Sequence, residues 1–338
     1  MFDPREDNQV RHKAGSSEGH VESYFLKLND PSSPKALWLK FTLLSPKQHP
    51  ENASADLWAI SFDGDGQNVA AKRSWALSDS EAGLKQYPIY LGQSVLQPGY
   101  TKGSLEKAGA LLEWELRFTP VSPPMHLFPF ELMYKLPLPR SKTLTPYPDA
   151  IFEGWYRVNG VEVPVKSWPG TQGHNWGKEH ASLYAWSHCN VFYGDDGNLL
   201  TDTYFEGLSA KLQLGPVQTP FISSAWFRYR GVDMPFTLRE LKTGAKSELE
   251  SHGPYRWSFF LETKALSLEG TIEAQREQMC GLYYPNPDGQ MTYCLNSKIA
   301  SMRLLLRPKN SGSMILTSRA AALEIGTRDP AHGVGMVI

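Results

Sequence analysis

The sequence predicts an all-β protein, a sandwich or barrel. Three observations predict it. Apolar residues alternate with period two along many short runs, turn clusters separate those runs, and no segment keeps a helical period for four turns. The first runs fall at 23–28, 36–44 and 56–62. Asp63-Gly64-Asp65-Gly66 follows as a hairpin turn. It is no calcium loop, because Ser74 stands where a twelfth-position Glu is needed. The short stretch 79–85 is the best helical candidate. After the strand at 110–118 the punctuation changes, with three prolines in 121–130 and four in 136–148. Proline fixes φ and cannot donate to a ladder, so this stretch is expected outside a central sheet. We place a domain junction there, near residue 145, dividing the chain into 1–145 and 146–338; a surface loop in one large domain is the alternative. Phe and Leu between the prolines suggest a packed connector. Further strands are expected at 153–158, 183–193, 199–214, 223–230, 256–263, 270–275 and 298–307. Short echoes between the halves, such as Trp114 and Trp257 in late strands, fit two copies of one barrel.

Composition excludes several functions. The 338 residues carry a net charge of −1, which argues against a nucleic-acid binder. No apolar run reaches the roughly 18 residues of a membrane helix, although peripheral membrane contact stays open. The polar N-terminus does not read as a signal peptide, so a cytoplasmic location is expected. The three cysteines cannot build a disulfide framework. Cys280 and Cys294 would face each other across a five-residue hairpin loop, as free thiols. No dinucleotide or phosphate loop occurs, and no cofactor is expected. Gly15-Ser-Ser-Glu-Gly19 matches a nucleophile-elbow pattern but lacks its strand and helix.

The aromatic load is the outlying feature: 12% of residues, with ten Trp. Catalytic residue types concentrate at 170–206. In the strand 183–193, Tyr184, Trp186, His188, Asn190 and Phe192 share one face, while small apolar residues take the other. The first face suits a ligand cavity. On the next strand Leu200, Asp202, Tyr204 and Glu206 share a face. With a hairpin loop at 195–197, Asn190 would meet Asp202, His188 would meet Tyr204, and Trp186 would meet Glu206; a loop one residue longer would separate the faces. A buried carboxylate beside aromatics has a raised pKa and can act as a general acid. Alternatively, these polar groups simply satisfy one another. The His, Cys and carboxylate spacings match no zinc signature, so no metal is expected.

His174-Asn-Trp-Gly, followed by Tyr184-Ala-Trp-Ser-His-Cys-Asn-Val-Phe192, resembles the motif region of a lipocalin-like double-domain family. That family contains AttH-like proteins, carotenoid 1,2-hydratases and tocopherol cyclases. The segment 19–28 and Glu153-Gly-Trp-Tyr156 resemble its two barrel openings. The resemblance implies two lipocalin-like, calycin-like antiparallel β-barrels packed side by side. It also implies acid-catalysed addition of water, or of a phenol, to an isoprenoid double bond. His174 and Trp176 match the His-x-Trp pair implicated in the hydratases. Asp202 precedes Tyr204, whereas the hydratase order is Tyr then Asp.

The resulting expectation is a protein that binds a hydrophobic small molecule, isoprenoid or polyketide-like, in an aromatic cavity near the domain interface. Hydratase- or cyclase-type lyase or isomerase chemistry would use Asp202 as acid, His174 to relay the proton and Tyr204 to assist. Glu153 is a second acid candidate, sharing a face with Trp155. Trp155, Trp176, Tyr184, Trp186, His188, Asn190 and Glu206 would contact the ligand. The competing classes are a non-catalytic carrier using the same cavity and a stress-related scaffold.

Overall fold

The computed structural model describes residues 4–84, 86–128, 130–136, 139–194, 196–214, 217–241 and 246–338. Two large antiparallel sheets dominate it. The first holds β1 (His20–Asn29), β2 (Lys35–Ser45), β3 (Ser54–Asp63), β4 (Val69–Ala76), β5 (Ala82–Gly83), β6 (Ile89–Leu91), β7 (Ser94–Gln97), β8 (Tyr100–Lys107), β9 (Ala110–Pro120), β10 (Ser141–Val158) and β11 (Val161–Gly177). Their order is β4-β3-β2-β1-β11-β10-β9-β8-β7-β6-β5, and β4 lies back against β8 and β9, so the barrel is nearly closed. The second sheet starts at β12 (Leu183–Cys189) and β13 (Tyr204–Lys211). After the small hairpin β14 (Gln213–Leu214) and β15 (Val217–Gln218), it continues through β16 (Ile222–Tyr229), β17 (Val232–Phe236), β18 (Lys246–Glu250), β19 (Tyr255–Glu262), β20 (Leu266–Ala274), β21 (Cys280–Pro285), β22 (Met291–Pro308) and β23 (Met314–Thr327). Two one-turn helices, α1 (Pro4–Asp7) and α2 (Leu132–Lys135), flank the first barrel. No helix among the described residues is long and apolar enough to cross a membrane.

Burial patterns show how the two sheets meet. A strand with one wet face alternates, as Tyr255–Glu262 does. The segment Val21–Asn29 of β1 is buried on both faces. Tyr24, Leu26 and Leu28 fill the first barrel's lumen. The opposite face of this sheet is covered by the second sheet, so Phe25 packs edge-on against Trp186 at 5.3 Å. Trp38, Trp58, Ile60 and Phe62 also face outward and join Leu282, Tyr284 and Cys294 in an apolar seam cluster. Trp114 and Trp257 belong to the two separate cores, as packing residues of their barrels.

Four expectations need correcting. The strand starting at Ser141 and its partner through Gly177 pair within the first sheet, so the change of sheet comes after Gly177 rather than near residue 145. Thr145–Tyr147–Ala150, around Pro146 and Pro148, lies inside that sheet. It is tolerated there because the ladder shifts register on either side of Tyr147. The stretch 79–85 forms a turn and part of a short strand instead of a helix; Lys85 lies outside the described residues. Leu282, not Cys280, pairs with Cys294, and all three cysteines are buried free thiols.

Candidate functional site

The hairpin 183–211 carries most of the predicted site. Asp195, the first residue of its expected loop, lies outside the described residues. At the tip Tyr193 bridges Leu199, the register expected. The return strand then bulges: Asp202 takes a left-handed φ of 48°. Pairing resumes two residues later, with His188 opposite Glu206 and Trp186 opposite Leu208. A slip of two preserves the face. Trp186, His188, Asn190, Tyr204 and Glu206 therefore stay together, but their face points onto the first barrel. The lumen of the second sheet takes Ala185 and Cys189 instead.

This seam is polar and buried. Glu206 is 1% exposed. It accepts hydrogen bonds from Trp186 Nε1 at 3.1 Å and Thr145 Oγ1 at 2.8 Å, and no cation pairs with it among the described residues. Burial outweighs these two donors and pushes its carboxyl up to about 7. Asp149, which meets Asn190 of the same face, is likewise raised by burial to about 7, although Asn190 Nδ2 donates to it at 2.8 Å. His188 donates from Nε2 to the Pro148 carbonyl at 2.7 Å, leaving Nδ1 as an acceptor with no donor. Its ring stacks on Tyr204 at 6.3 Å. Lys27 is fully buried with an unpartnered Nζ, and burial pulls its amine down to about 8.

His174 and Trp176 lie elsewhere, in the lumen of the first barrel. His174 is 0% exposed. It stacks on Tyr24 at 4.2 Å and donates from Nδ1 to the Asp7 carbonyl at 2.6 Å. Its Nε2 meets Glu22 Oε1 at 2.9 Å. Glu22, absent from the predicted site, is the hub. It also accepts from Tyr24 Oη at 2.7 Å, His20 Nε2 at 2.8 Å, and the backbone N–H groups of Arg11 at 2.8 Å and His12 at 2.9 Å. Burial alone would raise its pKa, but His174 and His20 hold it well below the usual carboxylate range. The segment 7–12 thus closes this end of the barrel, and Asn8 and Gln172 exchange side-chain hydrogen bonds beneath it.

The remaining predicted residues are dispersed. Burial would raise Asp202, but Arg228 at 2.7 and 3.1 Å and Ser122 Oγ at 2.6 Å together hold it below its ordinary range. An ion-paired carboxylate of this kind does not suit a general acid. Glu153 is exposed and accepts two hydrogen bonds from Ser167. Trp155 lies on the same outer face, under Arg157. Tyr184 lies flat over Gly326, where an added Cβ would come within 1.8 Å of its ring.

A cleft of about 70 Å³ opens at one end of the seam. Lys40, Trp58, Lys142, Asn175 and Trp176 of the first barrel line it, with His180 and Tyr284 opposite. Among the described residues no three His, Cys, Asp or Glu side chains gather as a metal site.

Comparison with known proteins agrees with this architecture. No family model matches the chain. An uncharacterized Mycobacterium tuberculosis protein, Rv0493c, is 24% identical over 319 residues, 93% of this chain and 89% of that one. Among solved structures, a Nitrosomonas europaea protein described as AttH superposes with a TM-score of 0.55 at 13% identity, covering 96% of both chains. Kievitone hydratase from Nectria haematococca gives 0.52 at 8% identity, covering 94% of this chain and 93% of that one. CghA in complex with Sch210972 gives 0.55 at 10% identity, covering 92% and 88%. The chain shares their fold.

Proposed function

We propose that the chain binds a lipophilic small molecule, isoprenoid or polyketide-like, at the seam between its barrels. There it would catalyse a cofactor-free, acid-promoted cyclisation, hydration or isomerisation. The observation that carries this reading is Glu206: a fully buried carboxyl with no cation beside it, pushed up to about 7 and so partly protonated at neutral pH. In the step, Glu206 O–H gives its proton to one carbon of a double bond, and the neighbouring carbon becomes cationic. Trp186 stands next to the acid, where an indole face favours positive charge. Water or an internal oxygen then attacks the cation, and its released proton returns to Glu206. The solved neighbours named for a hydratase and for a complex with Sch210972 support the reading through shared fold alone.

A carrier is the second reading. Glu206 does not line the cleft, where Trp58 and Tyr284 stand. A ligand seated only there would not reach the acid. Mass spectrometry of lipophilic compounds extracted from the purified protein separates the two. A terpenoid or polyketide, converted on incubation, supports catalysis; a fatty acid recovered unchanged supports transport.

Asp202 provides an internal control. Asp202→Asn is expected to leave turnover intact while costing about 1–2 kcal/mol of stability in urea unfolding, because it weakens charge-assisted bonds to Arg228 and Ser122. Loss of turnover in a stably folded variant would return the acid's role to Asp202.

A further inference from the structure

The seam face of the first sheet leads from the cleft toward Glu206, and one side chain stands between them. The ladders set Asn175, Ser23 and Thr42 side by side in one row of that face, and Gly173, Phe25 and Lys40 in the next. Asn175, Ser23, Thr42 and Lys40 line the cleft; Gly173 and Phe25 do not. Phe25 is 6% exposed, and its ring leans across the sheet over Gly173. A Cβ added to Gly173 would come within 2.3 Å of the far carbon of that ring, so only glycine leaves the ring this place. The ring also packs edge-on against Trp186, centre to centre 5.3 Å. Trp186 and Thr145 are the two donors to Glu206. The Phe25 ring therefore fills the step between the cleft and the acid. Packing alone holds it, and one change of χ1 rotamer would carry it off Gly173.

We propose that Phe25 is the gate that decides which ligands reach Glu206: the unsaturated end of the ligand takes the place of its ring over Gly173, beside Trp186, while the rest of the ligand stays in the cleft by Trp58 and Tyr284. This rests on the seam being the ligand site and Glu206 its acid. It adds the specificity of that site. The reacting end must be flat, apolar and close to a phenyl ring in size, because a close-packed seam offers it only the space that Phe25 vacates. Phe25 is a positioning residue in this scheme and takes no part in the proton transfer.

The test treats the full chain at neutral pH with dicyclohexylcarbodiimide, an apolar reagent that adds to protonated carboxyls, and follows labelling of Glu206 by peptide mass spectrometry. Reaction through a rarely open gate is slowed by the open fraction, so Phe25→Ala is expected to label Glu206 about tenfold faster or more than the wild type. Gly173→Ala, whose Cβ displaces the ring, should change the rate in the same direction. Phe25→Leu keeps more of the packing and should fall between wild type and Phe25→Ala, which guards against an alanine variant that does not fold. Phe62→Ala makes the same truncation in the apolar seam cluster around Leu282 and should leave the rate unchanged. An equal rise in Phe62→Ala would mean that any truncation loosens the seam, and it overturns the gate. An unchanged rate in both Phe25→Ala and Gly173→Ala overturns it as well. If Glu206 stays unlabelled in every variant, its carboxyl titration by carbon-13 NMR separates two failures. A midpoint near neutrality removes the gate alone; a midpoint in the ordinary glutamate range removes the acid together with it.

Discussion

Glu206→Gln is expected to abolish turnover while making the protein more stable at alkaline pH. The activity effect follows from removing the proton donor: general acid catalysis contributes roughly 10²–10⁴-fold. The stability effect follows from linkage. The folded carboxyl titrates near 7, above its unfolded value. Between the two values the native state holds a proton that the unfolded chain has released, so stability falls as pH rises through that window. Below the window the group is neutral in both states and contributes nothing. Above it the native state carries a buried anion at a cost on the order of 3 kcal/mol. Glutamine keeps the shape and stays neutral. The variant should therefore match the wild type near pH 4 and exceed it near pH 8, measured by urea unfolding at each pH. Asp149 shifts in the same direction and adds to the wild-type slope. Parallel stability profiles for wild type and variant would mean that Glu206 is ionised at low pH like an ordinary carboxylate.

Glu22→Gln should be among the most damaging single substitutions in the first barrel. Its carboxylate receives five hydrogen bonds, two of them from His20 and His174. An amide has one acceptor oxygen, and its own N–H₂ would point at donors. Breaking a buried charge network of this kind costs about 3–5 kcal/mol. Here the pH sign is opposite to that of Glu206. The folded pKa of Glu22 is depressed, so its contribution is present above the ordinary carboxylate range and is lost only as pH falls well below it. Urea unfolding at neutral pH measures the loss, and a flattened acid limb in the variant identifies its source. A loss under about 1 kcal/mol would show that the network contributes little to stability. The segment 7–12 should also loosen, because two of its backbone N–H groups lose their acceptor.

Much of this arrangement is legible in the chain. Period two separates the two faces of Leu183–Cys189 correctly, and the hairpin tip has the register its turn residues imply. Alternation cannot say which face meets a lumen and which meets a neighbouring barrel, since both are buried. That is why the aromatic face of this strand, suited to a cavity, lies in the seam. Asp202 is lost to a backbone event: its left-handed φ breaks the alternation and turns its side chain toward Arg228. Glu22 leaves a readable trace, a carboxylate on the same strand face as Tyr24, Leu26 and Leu28. Lys27 and Lys40 leave a misleading one. Each sits between apolar neighbours and reads as the wet face of a strand, and only the docking of the second sheet buries it. Pro146 and Pro148 argue against central sheet by their missing N–H groups. Register shifts absorb them, and Pro148 places its carbonyl against His188.

The central claim is that the seam holds a carboxyl protonated near neutrality. Carbon-13 NMR of glutamate side-chain carboxyls reads it directly, with the resonance missing from Glu206→Gln giving the assignment. A midpoint near 7 is expected for that resonance. A midpoint in the ordinary glutamate range, about 4.3, would contradict it.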